Sequence, residues 1–405
     1  VLDAAGYQVS REFYINDAGN QIDKFALSLD IRYQQIFKGE EAVPMPEDCY
    51  QGADILERAQ EFADLYGDSC LEKSQEERQK ALVDFALPKN IAKMQSDLKK
   101  YRIEYDTWFH ESVLHNDGEI QDTLKILMEK GMTYELDGAL WYKATDFGAE
   151  KDEVLVRKNG NPTYFAADIA YHRNKFQRGF DRCIDIWGAD HHGHVARMKG
   201  AMNAVGLDGS KLDVVLMQLV KLVRNGEIVR MSKRTGKAIQ LADLLDEVPV
   251  DAARFLFNMR EANSQMEFDL DLAVQQDAQN PVYYVQYAHA RICSILKALE
   301  KDGVVKRACS EEELLLLVQP EELSLIRHLA AYTGEVVSAA KDYDPARITR
   351  YVIDLANLFH KFYNACRVKG EEYGLCQASL TLFVAVKTVI HNVLTMFKIS
   401  APESM

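Results

Sequence analysis

The sequence predicts two structural parts, an α/β domain built on a parallel sheet and interrupted by an insertion, and an all-helical bundle that follows it. A short apolar run at Cys183, a glycine turn and a helix ending near Val205 have the pattern of a βα unit in a parallel sheet. The apolar run 214–223 predicts a second buried strand, and Asn225-Gly226 after it predicts a β-hairpin. After about Asp271 only helical periodicity remains.

The front of the chain contains a strand-like run at Glu12–Ile15, followed at 16–19 by residues typical of a turn and a helix start. From about 36 to 160, charge-rich helical stretches precede two short strand-like runs, near 139–143 and 153–157. This change of pattern predicts an insertion into the α/β domain.

The back of the chain predicts packed helices. The segment opened by Asp344-Pro345 carries apolar residues at i, i+3, i+4 and i+7, with aspartate suited to the N-cap and proline to the first turn. Lys387 and two other polar residues interrupt the apolar run 380–397, which favours a packed amphipathic helix over a membrane span. We therefore predict an α/β domain over 1–272 and an all-α domain over 273–405.

Charge is distributed unevenly over the 405 residues, whose formal net charge is −14. This excess argues against nucleic-acid binding over the whole surface. Between 221 and 237, however, six basic residues face the single acid Glu227, and residues 280–405 carry fourteen charges of each sign. One basic loop and a neutral back end are compatible with a polyanion bound to part of the surface.

The seven cysteines are dispersed and form no Cys-x-x-Cys pair, which predicts reduced thiols rather than disulfides or a zinc site. The acidic start, Val1-Leu2-Asp3, lacks the pattern of a signal peptide. We therefore expect a soluble cytoplasmic protein without membrane association.

The run Arg230-Met231-Ser232-Lys233-Arg234-Thr235-Gly236 is the strongest chemical signal. A glycine-containing loop with a lysine between arginines can place positive charge on the phosphates of ATP, which is what phosphoryl and adenylyl transfer require. A solvated basic turn explains such a run equally well by itself. Its position after a hairpin, downstream of a βα unit that ends in Gly188-Ala189-Asp190, favours ATP binding.

The central part of this loop, Met231-Ser232-Lys233, resembles the K-M-S-K-S signature of class I aminoacyl-tRNA synthetases. The rest of the chain resembles bacterial arginyl-tRNA synthetases, in the family's order. The segments that carry this resemblance are 14–21, 164–170, 187–194 and 284–291. The resemblance implies an incomplete Rossmann-type class I catalytic domain with an insertion, followed by an all-α helical-bundle anticodon-binding domain.

For ATP, the resemblance assigns the loop 230–236 to the phosphates and implies that Mg²⁺ accompanies the nucleotide. The implied catalytic residues are Arg230, Ser232 and Lys233. The implied ATP-binding residues are Gly188, Asp190, His191, Met231 and Arg234. Two positions depart from the family signature, since Arg230 replaces its first lysine and Arg234 its last serine. Both keep or add positive charge, so we expect the loop to function.

Recognition of arginine requires anions, because its guanidinium is always charged and presents a planar fork of donors. Tyr164 and Asp168 are four residues apart and would share one face of a helix. The resemblance assigns both, together with Glu111, to the arginine pocket. From the residues alone, Asp168 could instead be a helix N-cap, and Glu111 an ordinary surface acid.

For tRNA, Tyr284, Tyr287 and Arg291 lie at i, i+3 and i+7 of a predicted helix. Such a stripe can belong to a core, but exposed aromatic rings and arginine planes also stack on the bases of single-stranded RNA loops. The resemblance assigns these three residues and Met405 to the anticodon loop.

The implied activity is the ATP-dependent activation of L-arginine and its transfer to the 3′ end of tRNA(Arg), by a monomer. The family's His-Ile-Gly-His segment does not occur in these 405 residues. In the family this segment and the N-terminal tRNA-elbow domain precede the part that matches Val1, so we expect this chain to be inactive alone. Two alternatives remain, a non-catalytic tRNA-binding module and a metal-dependent phosphoesterase that uses Asp190-His191-His192. The synthetase interpretation expects no bound metal other than the Mg²⁺ that accompanies ATP.

Overall fold

The computed structural model describes residues 1–230 and 239–405. The strands in these ranges are β1 (Glu12–Ile15), β2 (Thr107–His110), β3 (Thr133–Leu136), β4 (Ala139–Tyr142), β5 (Glu153–Val156), β6 (Cys183–Gly188), β7 (Leu212–Met217), β8 (Val220–Arg224), β9 (Glu227–Val229) and β10 (Met266–Asp269). The helices are α1 (Gly19–Lys38), α2 (Ala53–Tyr66), α3 (Gln75–Lys100), α4 (Glu111–Asn116), α5 (Glu119–Glu129), α6 (Tyr164–Gln177), α7 (His192–Ala204), α8 (Leu241–Glu247), α9 (Val250–Phe257), α10 (Leu270–Ala273), α11 (Pro281–Lys301), α12 (Glu311–Leu314), α13 (Pro320–Lys341), α14 (Ala346–Ala365) and α15 (Tyr373–Met396). No strand follows β10 in the described residues, as the helical periodicity after Asp271 predicted.

Parallel strand pairs form the framework of the α/β part. β1 pairs with β2, with Ile15 opposite His110, and β6 pairs with β7, with Gly188 opposite Met217. Ligands bind at the carboxyl ends of parallel strands. The residues that follow Ile15, His110 and Gly188 are therefore candidates for ligand contacts.

The predicted hairpin is confirmed. β8 and β9 pair antiparallel around Asn225 and Gly226, whose φ angles are 50° and 76°. The left-handed region suits both residue types, and it gives the turn the twist of the flanking strands. The single strand predicted over 214–223 is wrong, because the run divides between β7 and β8, which belong to different sheets. Between them the Gln218 amide donates to the carbonyl of Ala262, so the chain changes sheets there.

The predicted insertion contains a strand that the sequence analysis missed. Helices α1, α2 and α3 pack around Leu29, Tyr33, Phe62 and Leu82. After α3 the chain returns to pair β2 with β1 and then forms the antiparallel sheet β3–β4–β5. With only four half-buried residues, β2 has too short a pattern to be recognised from periodicity.

The C-terminal helices form one apolar core. Phe359, Phe362, Phe383 and Ile390 are fully buried in it. Helix α15 is long and apolar enough to cross a membrane by composition, yet its residues pack into this core, as expected of a packed amphipathic helix.

Helix α14 begins one residue later than the cap assignment predicted. Pro345 occupies the N-cap position and Ala346 is the first helical residue. The Asp344 carboxylate nevertheless accepts a hydrogen bond from the Ala346 amide at 3.0 Å. The aspartate therefore satisfies an otherwise unpaired donor of the first turn, as a capping side chain does.

Candidate functional site

An open cleft of about 1960 Å³ lies beside β1 and β6. The residues around it include five that the sequence analysis selected. They are Tyr164 and Asp168 from the predicted arginine pocket, and Gly188, Asp190 and His191 from the predicted ATP site. The structure therefore brings members of both sets to one cavity, whereas Glu111 and Arg230 are not among the residues that line it.

Asp17 fixes the end of the cleft where β1 and β2 terminate. Its carboxylate accepts hydrogen bonds from the Ser112 amide, the Ser112 hydroxyl and His110 Nδ1, each at 2.8 Å. Burial acts to raise the pKa of Asp17, but these hydrogen bonds outweigh it and hold the pKa below its ordinary value. The residue thus stays ionised and holds the first turn of α4 against the end of β1.

Glu111, the first residue of α4, is buried with 3% of its surface exposed. The alternative that it is an ordinary surface acid is therefore wrong. The Tyr14 hydroxyl donates to its carboxylate, and the amide of Asn16, with its nitrogen towards Glu111, lies 3.1 Å from Oε2. His115 Nε2 lies 3.5 Å from Oε1.

Burial dominates the electrostatics of Glu111. It raises the pKa of the carboxyl, the hydrogen bonds from Tyr14 and His115 oppose this effect, and the charge of Asp168 adds to it. Burial and both carboxylates also raise the pKa of Tyr14. Tyr14 therefore remains a protonated donor between two acids, beside the cleft. A cationic ligand would relieve the mutual repulsion of these acids.

Asp168 lies in the second turn of α6, one turn after Tyr164, so the predicted shared face is confirmed. The N-cap of this helix is Thr163, whose side chain accepts from the Ala166 amide, and the N-cap alternative for Asp168 is therefore wrong. The carboxylate of Asp168 is 39% exposed, and its Oδ2 lies 3.4 Å from Nε2 of His194.

His194 belongs to this site through contacts that the sequence analysis did not foresee. Its ring centroid lies 5.5 Å from that of Phe165 and 5.3 Å from that of Trp187. The side chains of Asp190 and His191 are 82% and 62% exposed. Within 1–230 and 239–405, no three His, Cys, Asp or Glu side chains gather as ligands for a metal ion. Unlike Asp190 and His191, His194 thus contacts another element, α6, and through Asp168 it contacts the predicted arginine pocket.

Asp185 on β6 holds α6 in place. Its carboxylate accepts hydrogen bonds from His172 Nε2 and Lys175 Nζ, both at 2.5 Å, while His172 Nδ1 lies 2.7 Å from the Asp168 carbonyl. Burial acts to raise the pKa of Asp185, but His172 and Lys175 lower it to about 2. The network was missed from sequence. Its only signal there was a histidine and a lysine three residues apart on one helix, with an acid inside the following strand.

The basic loop is described only at its ends. Arg230 is exposed directly after β9. The other predicted residues of the loop, Met231, Ser232, Lys233 and Arg234, lie outside the described residues. The hairpin that precedes the loop is joined to α8, which follows it, by an ion pair between Arg224 and Glu247.

The predicted RNA-binding residues lie along one side of α11. Tyr287 is 41% exposed, whereas Tyr284 is half-buried and donates from its hydroxyl to Asn357 Oδ1 at 2.8 Å. The Arg291 guanidinium carbon lies 4.7 Å from the ring centroid of Tyr363. Met405, at the end of the chain, is 52% exposed. The stripe of core residues on α11 runs beside these side chains, through Val285, Ala288 and Ile292.

Comparison with known proteins decides the family. The chain is 57% identical over 406 residues to the arginine–tRNA ligase of Ruminiclostridium cellulolyticum and 59% identical to that of Caldanaerobacter subterraneus. In both cases the match covers all of this chain and 72% of the relative. The chain belongs to the arginyl-tRNA synthetase family.

The predicted order of folds, an α/β catalytic domain followed by an all-α anticodon-binding domain, is confirmed for this arginyl-tRNA synthetase. The model of the catalytic domain of class I tRNA synthetases (R) matches residues 1–296, and that of the DALR anticodon-binding domain matches 285–405. A Campylobacter jejuni protein assigned as an arginyl-tRNA synthetase superposes over 100% of this chain and 88% of its own, with a TM-score of 0.88 and 32% identity. The Thermus thermophilus arginyl-tRNA synthetase shares the fold, with a TM-score of 0.77 at 23% identity over 77% of that chain. The enzyme class, a class I arginine–tRNA ligase, is confirmed.

The buried carboxylate of Asp185 generates a stability prediction. Its folded pKa of about 2 lies below the ordinary 3.8, so the ion pairs contribute stability above pH 4, and this contribution is lost as the pH falls towards 2. Asp185→Asn should lower the free energy of unfolding at pH 7 by about 2 kcal/mol, and the gap to wild type should narrow at pH 2–3. Denaturant unfolding at both pH values measures this. Asp122→Asn, at an exposed position on α5, serves as the control, and a variant at Asp185 as stable as wild type at pH 7 would contradict the prediction.

Proposed function

We propose that this chain binds L-arginine in the cleft between Glu111 and Asp168, as the substrate of ATP-dependent activation and transfer to tRNA(Arg). One observation carries the proposal. The buried carboxylate of Glu111 and the part-exposed carboxylate of Asp168 both act on Tyr14, and Tyr14 and Asp168 line a large cleft together with residues that suit ATP.

The two acids match the two cationic groups of free arginine. Glu111 is buried and already accepts hydrogen bonds from Tyr14 and His115, so its carboxylate suits the guanidinium, whose several N–H donors spread the charge. Asp168 is more exposed, and its partner His194 is a side chain that can yield to a ligand. We therefore assign Asp168, with Tyr164 beside it, to the α-ammonium group of arginine. The two acids then leave the carboxylate of arginine, which must react, unpaired.

For ATP, we propose that Gly188, Asp190 and His191 hold the nucleoside. A Cβ at Gly188 would lie 2.5 Å from Oδ1 of Asp190, so a larger residue there would displace the Asp190 carboxylate from its position beside the backbone. An exposed carboxylate at this position can accept hydrogen bonds from ribose hydroxyls.

We propose that the basic loop, residues 230–236, binds the phosphates of ATP. Arg230, Ser232 and Lys233, with Met231 and Arg234, would stabilise the negative charge that develops as the arginine carboxylate attacks the α-phosphorus and pyrophosphate leaves. Mg²⁺, bound to the phosphate oxygens of ATP, would add to this charge neutralisation. The terminal ribose hydroxyl of the tRNA then attacks the aminoacyl adenylate and releases AMP. Positioning and charge stabilisation, rather than a general base, supply the catalysis.

For tRNA, we propose that Tyr284, Tyr287, Arg291 and Met405 contact the anticodon loop from the helical part. A domain boundary near residue 272, a monomeric state and a cytoplasmic location, without membrane association, complete the proposal. The boundary is supported by β10, after which no strand follows in the described residues.

Asp168→Ala should weaken arginine binding roughly 10- to 100-fold, since a charged hydrogen-bond acceptor is removed from a cationic ligand. Isothermal titration of the variant with L-arginine measures the change. The matched control is Asp122→Ala, which removes an exposed acid of α5 outside the cleft. An unchanged affinity in Asp168→Ala would remove this residue from the pocket.

We further propose that these 405 residues by themselves do not complete the reaction and act as a tRNA-binding piece, because no His-Ile-Gly-His occurs among them. In the family, that segment holds the triphosphate of ATP from the side opposite the basic loop. ATP–pyrophosphate exchange, with arginine and tRNA(Arg) present, should fall at least about 100-fold below that of a full-length relative, the scale on which lost transition-state donors act. Exchange at the rate of the relative would show the proposal to be wrong.

A further inference from the structure

His360 on α14 has an imidazole whose two nitrogens are both out of contact with solvent and without a hydrogen-bond partner among the described residues. Its ring lies against the aromatic side chains of α11, 5.2 Å from the ring centroid of Tyr284 and 6.1 Å from that of Tyr287. Burial and the charge of Arg291 lower the pKa of His360, so at neutral pH it carries one N–H donor and one acceptor nitrogen.

Leaving such groups unpaired costs folding free energy, so an imidazole whose two nitrogens are both buried and unpaired calls for a reason. Packing of the His360 ring against its neighbours does not explain the missing hydrogen bonds. His328, in the same bundle, stacks on Tyr351 with ring centroids 4.2 Å apart, and its Nε2 bonds to the Tyr351 carbonyl at 2.9 Å. The bundle therefore can satisfy a histidine where the role is structural.

The side chains that cover His360 differ in how firmly they are held. Tyr284 is tied to Asn357 by its hydroxyl. Tyr287 is 41% exposed, and the structure gives its hydroxyl no hydrogen-bond partner among the described residues. Tyr287 is therefore the covering side chain that is freer to rotate, and stacking on an incoming base would favour such a rotation.

We infer that His360 is a base-reading residue of the anticodon site, which exchanges the unpaired state of one ring nitrogen in the free protein for a hydrogen bond to the edge of an RNA base stacked on Tyr287. This inference rests on the proposed function. Single-stranded RNA bases present a donor and an acceptor side by side on their Watson–Crick edges, and a neutral imidazole can meet either kind of group. One of the two ring nitrogens that lack a partner in the free protein is then satisfied in the complex.

The test separates binding from folding. His360→Phe keeps a planar ring and removes both nitrogens, so its melting temperature should equal or exceed that of wild type. Its affinity for a tRNA(Arg) transcript, measured by fluorescence titration, should fall about 10-fold or more, the scale of a base contact that loses its partner. His360→Gln, which supplies a donor and an acceptor, should recover most of this loss.

His328→Phe is the matched control, because it makes the same substitution at a histidine that has its partner. It should lower the melting temperature and leave tRNA affinity within about twofold. Wild-type affinity in His360→Phe, or a joint fall in affinity and melting temperature, would overturn the inference. If wild type itself does not prefer tRNA(Arg) to a non-cognate tRNA, the proposed function fails, and this inference fails with it.

Discussion

The parallel pairing of β1 with β2 is the constraint on which the cleft depends. It sets Ile15 opposite His110, so that both strands end at the same edge and the residues after them emerge together. Asp17 then holds Ser112 and His110, and the intervening Glu111 is fixed below Tyr14. Because the two strands are separated by about ninety residues that include a helical core of their own, this short pairing is what unites distant parts of the sequence into one site.

A second support holds the opposite wall. The ion pairs of Asp185 with His172 and Lys175 fix α6 to β6, and α6 carries Tyr164 and Asp168 while β6 leads to Gly188 and Asp190. Burying these charges is costly unless each has a partner. His172 and Lys175 both hydrogen-bond to Asp185. This wall of the cleft therefore keeps its geometry without contacts to the exposed charged side chains that line the cleft.

The sequence could predict the order of folds and the βα unit because these follow from periodicity and turn residues that are local in the chain. The β8–β9 hairpin is an example, since Asn225-Gly226 determines its turn. Burial of Glu111 could not be predicted, because it results from a contact between β1 and a strand of four residues nearly a hundred positions away. The same holds for His194, whose role in a pocket follows only once α6 and α7 are packed together. Residues 231–234 of the basic loop remain predictions from the family resemblance.

The central claim is that the cleft selects a cation with two carboxylates, one buried and one part-exposed. Isothermal titration of the chain with L-arginine and with L-citrulline tests it most directly, because citrulline has nearly the same shape but carries a neutral urea, with a carbonyl oxygen in place of one charged NH₂ group of the guanidinium. The account predicts that arginine binds at least about 30-fold more tightly than citrulline, from the loss of charged hydrogen bonds to Glu111. Equal affinities for the two ligands would contradict it.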